Sequence, residues 1–129
     1  MDGVFKDLDA YPAHIRRAVK NLNDYDPIAA ECAAAGLRAA KKMHDAKNTC
    51  DSRKMMDAIG HAMDASWVVE NTQNVYNARG FSVPGYAIDS VDTLATTLRS
   101  EIDNARENFG GQCVCLRSSQ SRCSLHNNP

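Results

Sequence analysis

The densest set of potential metal ligands lies near the C-terminus, in Cys113-x-Cys115-x7-Cys123-x2-His126. It offers three thiols and one imidazole within fourteen residues. Zinc takes four such ligands in a tetrahedron, and its binding energy orders segments that have no core of their own. A first pair separated by a single residue departs from the usual spacing of two to four, so the expectation is a tail with free thiols, with zinc as the alternative. A second group, Asp57, His61 and Asp64, falls at i, i+4 and i+7, on one side of a helix. Metal sites inside bundles need matching acids on the facing helices. Here those helices offer only Glu31, His44 and Asp45, and Glu101 and Asp103, without a repeated Glu-x-x-His. A solvated stripe beside Arg53 and Lys54 is therefore expected.

His44-Asp45 is an adjacent His-Asp pair, with His14 thirty residues before it and Asp103 fifty-eight after. This order resembles the H…HD…D of the HD-domain metal-dependent phosphohydrolases, which are also all-helical. The resemblance covers those four residues, and it implies a metal-dependent helical hydrolase. Gly-x-Ser-x-Gly, phosphate-loop, Rossmann and His-Glu-x-x-His patterns are absent. Cys32 and Cys50 would be nucleophiles only beside an activating histidine, and Cys32, on a face of small residues, reads as a buried inert thiol.

Charge offers a further chemistry. The net charge is −1, which gives the whole chain no electrostatic claim on nucleic acid or anionic membranes. Its distribution is uneven. Residues 38–54 hold six basic side chains against two acids, and residues 55–109 hold three basic against eight acidic. Arg38, Lys41, Lys42, Arg53 and Lys54 together form a candidate phosphate-binding edge. The asymmetry also suits a surface that steers a charged partner or a second copy of the chain.

The elements that must position these groups are helical. Val91, Leu94, Ala95, Leu98, Ile102, Ala105 and Phe109 recur at the spacing of one helical stripe. Three earlier segments repeat the pattern. Pro12 opens a first helix carrying Ile15, Ala18, Val19 and Leu22, with Phe5 and Leu8 folding back onto the other helices and residues 23–26 forming a turn. Asp26-Pro27 is an N-cap followed by an N1 proline, starting a second helix over 27–47. The face of that helix is built from Ala29, Cys32, Ala33, Gly36, Leu37, Ala40 and Met43. Glycine inside a helix costs about 1 kcal/mol relative to alanine, so Gly36 marks the close approach of another helix. A third helix spans 53–78 and stops at Gly80. Its Met55, Met56, Ile59, Ala62, Met63, Trp67, Val68 and Val75 wrap more than one stripe, which predicts that its first half is buried on two sides. The polar run 70–77 predicts an end that projects past the core. The segment 81–88 reads as a loop whose Phe81, Tyr86 or Ile88 plugs the bundle. Asp89 or Ser90 caps a fourth helix, which ends at Gly110-Gly111.

The fold expected is all-α: a four-helix bundle or closely related helical fold over residues 1–110, with a flexible, disordered tail rich in Ser, Arg and Cys over 111–129. Apolar runs are far too short for a membrane span, the N-terminus lacks the pattern of a signal peptide, and five cysteines is an odd number. A cytoplasmic location, free thiols and no required cofactor are the default expectations. Lacking a convincing catalytic constellation, the chain reads first as a non-enzymatic protein-binding module of accessory or inhibitor type, a kind that mobile elements often encode. Its partner would be a larger protein assembly or a second protomer, and Tyr76, Asn77, Arg79, Phe81 and Tyr86 the contact residues. A small nucleic-acid-binding regulator using the basic 38–54 segment is the alternative.

Overall fold

The computed structural model describes residue 8 and residues 11–111, the side chains of 108–111 excepted. Four helices follow one another: α1 (Ala13–Tyr25), α2 (Pro27–Thr49), α3 (Ser52–Arg79) and α4 (Gly85–Gly111), with a 3₁₀ turn, Gly80–Ser82, between the last two. No strand occurs among the described residues. The fold is an all-α helical bundle.

Local chemistry sets the corners. Asp26 is the only residue between α1 and α2, so the expected turn at 23–26 shrinks to one residue and Asn23, Asp24 and Tyr25 stay helical. The Asp26 carboxylate accepts the Ala29 N–H at 3.2 Å, and Pro27 sits in the first turn, where its missing donor costs nothing. Asp51 does the same for α3 by accepting from the Lys54 N–H at 3.0 Å. Between them Cys50 closes α2 in the left-handed region (φ 52°, ψ 40°), and the Asp51 N–H returns to the Ala46 carbonyl. Gly80 ends α3 with φ 57°. The fourth helix starts earlier than its sequence pattern predicts. Gly85 follows Pro84, whose carbonyl accepts from Ala87 and Ile88, so Asp89 and Ser90 lie inside the helix. Ser90 donates back to the Tyr86 carbonyl instead of capping.

The small-residue face puts α2 at the centre, packed on all three other helices and most extensively on α3. Alanines 29, 30, 33, 34, 39, 40 and 46 are buried along it, and small side chains let helix axes approach closely. Gly36 is the tightest point. A Cβ placed there would lie 2.8 Å from the Ala65 Cβ and 2.8 Å from the Leu98 Cδ2. The glycine is thus used by two helices at once, as its sequence position predicts.

Helix lengths divide the core. With 13 residues α1 is about 20 Å long, and with 28 residues α3 is about 42 Å. Alongside α1 a four-helix core gathers Leu8, Val19, Leu22, Leu37, Val69, Leu94 and Leu98. At the other end Met43, Met55, Ala58, Ala62 and Ile102 form a smaller core from α2, α3 and α4. Leu8 folds back as expected; Phe5 lies outside the described residues.

Candidate protein-binding surface

The residues singled out for metal chemistry do not converge. Asp57, His61 and Asp64 all lie exposed on α3, and Glu31, His44 and Asp45 are exposed on α2. Among the described residues no three His, Cys, Asp or Glu side chains form a group that could hold a metal ion. Among the described residues His14, His44, Asp45 and Asp103 of the H…HD…D order form no such group either. His44 faces Glu101 across α2 and α4, with Nε2 and Oε2 2.8 Å apart. Close to that pair, the Tyr11 hydroxyl donates to the Leu37 carbonyl at 2.6 Å. Burial and then the Glu101 charge push the Tyr11 phenol up to about 12. The set Cys113, Cys115, Cys123 and His126 lies outside the described residues.

The basic edge is interleaved with acids. Arg38 and Lys42 line a groove between α2 and α3 together with Cys32, His61 and Asp64. Arg53 and Lys54 stand in the first turn of α3, between Asp51 and Asp57. Cys32 is half-buried and Cys50 buried, and neither is in a disulfide among the described residues.

The expected partner-binding cluster divides. Asn77, Arg79, Phe81 and Tyr86 are exposed, Phe81 completely. Neither aromatic plugs the bundle; Val83 is buried there instead, with Ile88 partly buried against the same core. Tyr76 belongs to the interior, at 3% exposure. Its hydroxyl donates to Asp26 Oδ2 at 2.6 Å, and its ring meets Tyr25 edge-on with centroids 5.5 Å apart. Desolvation, followed by the Asp26 hydrogen bond, pushes its phenol well above the usual tyrosine value. Asp26 therefore caps α2 through one oxygen and anchors α3 through the other. The polar end of α3 does not project past the core, because Tyr76 is buried and Gln73 and Glu70 have partners on α4. Gln73 donates to Asp92 on α4 at 2.7 Å. Glu70 accepts from Ser66 and from Arg99 of α4, and the Arg99 guanidinium holds the Glu70 carboxyl below its ordinary range.

The surface that emerges lies on α3 one turn and more before that polar end. Met56, Met63 and Trp67 are 64%, 45% and 70% exposed. Their offsets of 0, 7 and 11 align them on one face, and Gly60 falls between them on the same line. Trp67 stands at the junction of two grooves. One runs between α3 and α4, past Met63, Asn71, Asn74, Asp103 and Arg106. The other leads past Asp26, Val75 and Arg79, so the exposed part of the expected cluster joins it at Arg79. The sequence carried the signal, since α3 has apolar residues on two stripes. Met55 and Ala62 are buried as predicted, together with Ala58 and Val69, whereas burial of Met56, Met63 and Trp67 is corrected: none of the described residues covers them fully.

These features define an all-α bundle in which, among the described residues, an apolar face of α3 is left exposed. No known protein family, curated protein or solved structure matches the chain. No described helix is long and apolar enough to cross a membrane.

Proposed function

We propose that this chain is a non-enzymatic helical protein-binding module, of accessory or inhibitor type, that contacts another protein through the outer face of α3. The observation that carries the reading is the exposure of Trp67 beside Met56 and Met63 on one helical line. Together they present an apolar patch on the order of 400 Å², the size at which patches on single chains mark contact sites. Tryptophan supplies rigid area at contacts, and methionine adapts to irregular partners. Asn71, Asn74 and Arg79 border the patch with hydrogen-bonding groups, in the usual arrangement of an apolar centre and a polar rim.

The test is quantitative capture from the native source on immobilised full-length chain, comparing wild type with Trp67→Glu and Asn77→Ala/Arg79→Ala. Trp67→Glu should lose the specific partner while its melting temperature stays unchanged. Recovery of the same proteins by the Trp67→Glu chain removes the reading.

A further inference from the structure

We infer that the outer face of α3 is covered by a second copy of the chain, with α3 packed antiparallel on the partner's α3; this rests on the reading of that face as a contact surface. The spacing of the exposed residues fits a second helix. Met56, Gly60, Met63 and Trp67 are separated by four, three and four residues, the recurrence that keeps one seam in contact along a pair of helices. Gly60 supplies the second observation. The other glycine inside a long helix, Gly36, is consumed by contacts within the bundle, but a Cβ at Gly60 would meet nothing within 4 Å. The bundle makes no use of the missing side chain. A second helix does, because the seam needs a hollow to receive a large residue.

Direction and register follow from the same residues. Parallel pairing would set Arg53 against Arg53, Trp67 against Trp67 and Glu70 against Glu70. Antiparallel pairing about a point between residues 61 and 62 sets Met56 opposite the partner's Trp67 and Gly60 opposite the partner's Met63. Large then meets small, and a thioether meets an aromatic ring. The same register brings Lys47, Arg53 and Lys54, from the basic end of α2 and α3, to the level of the partner's Asp92 and of its Glu70, which Arg99 already contacts. The uneven charge of the sequence is thereby matched through Asp92 and in part through Glu70. One feature opposes the pairing: Asp57 comes near the partner's Asp64 on both sides of the axis. A seam of this length buries on the order of 1,000 Å² in total, the lower limit for a specific interface. The dimer is therefore weak and reversible.

Trp67 is the single tryptophan, so its emission reports on this face directly. The full-length chain, kept reduced so that no disulfide links two copies, is studied by sedimentation equilibrium and fluorescence from micromolar to near-millimolar concentration. The mass should rise from 14.1 kDa toward twice that value, with a blue shift of the emission over the same range. Met63→Glu and Trp67→Glu should hold the chain at monomer mass with unchanged melting. Asp57→Asn/Asp64→Asn should tighten association about fivefold, because it removes the facing like charges. Monomer mass at every concentration overturns the inference, as does a dimer whose Trp67 emission does not move or which Trp67→Glu leaves intact. Looser association of the Asp57→Asn/Asp64→Asn chain overturns the register. The capture experiment reads the binding-module proposal separately: a monomeric chain that still loses a foreign protein on Trp67→Glu keeps that proposal and removes only the dimer.

Discussion

Two glycines on neighbouring helices have opposite energetics. At Gly36 an added Cβ would stand 2.8 Å from the Ala65 Cβ, an atom fixed to backbone, so the helices must separate. Overpacking of this kind costs about 1–3 kcal/mol and exceeds the roughly 1 kcal/mol gained in helix propensity. Gly36→Ala should therefore lower the melting temperature by several degrees, and Gly36→Leu should lower it further. Gly60→Ala meets open space and should raise it by a few degrees. Thermal melts followed by circular dichroism check both signs, and a stabilised Gly36→Ala would mean that α2 and α3 are not in close contact. Asp26 and Tyr76 give a second test at this scale. Tyr76→Phe should cost about 1 kcal/mol in wild type through loss of a buried hydrogen bond. In an Asp26→Ala background it should cost nothing, because the hydroxyl is already without its acceptor. Equal costs in the two backgrounds, measured by urea denaturation, would separate these residues.

At the scale of elements, α1 and α3 are held by two tyrosines whose phenols resist ionisation. Tyr11 ties the start of α1 to α2 through the Leu37 carbonyl, and Tyr76 ties α3 to the corner at Asp26. Both folded-state values are raised above the ordinary value near 10, that of Tyr11 to about 12. A raised value means that the folded state keeps a proton that the unfolded state releases. The stability from these groups is therefore complete below pH 10 and is lost as pH rises through the folded values. Alkaline titration of phenolate absorbance should show two tyrosines appearing only together with loss of helix, and Tyr11→Phe and Tyr76→Phe should each remove one of them. Ionisation of all four tyrosines near pH 10 with the helices intact would contradict these contacts. In α3 itself, polarity was a poor guide to exposure. Its second half reads as polar, yet it docks through Gln73, Glu70 and Tyr76, while the more apolar first half leaves Met56 and Met63 in solvent.

For the whole molecule, the buried core residues among those described lie between Leu8 and Ile102, with Ala105 partly buried against the smaller core. Truncation after Gly111 should accordingly leave helical content unchanged and the melting temperature within a few degrees. A fall of more than about 10 °C, where ~1 kcal/mol shifts a domain of this size by a few degrees, would assign Cys113, Cys115, Cys123 and His126 a docking or metal-binding role. The sequence by itself determined the number and type of elements and most of their ends. Proline at Pro27, carboxylate caps at Asp26 and Asp51, glycine at Gly80 and the apolar period of 3.6 act within a few residues of one another, so they are legible without a fold. It also determined that Gly36 marks a close approach, because a glycine in a helix has a cost that something must offset. What only the tertiary structure decided depends on residues far apart in the chain. It chose which of the two apolar stripes of α3 the bundle buries, since that is fixed by where α2 and α4 lie and not by α3. It turned His44 to Glu101, fifty-seven positions away, and drew Tyr76 onto Asp26, fifty away. The uncovered face of Met56, Met63 and Trp67 is a remainder of this kind: hydrophobicity declares that a stripe needs a neighbour, and only packing shows that no helix of the bundle supplies it.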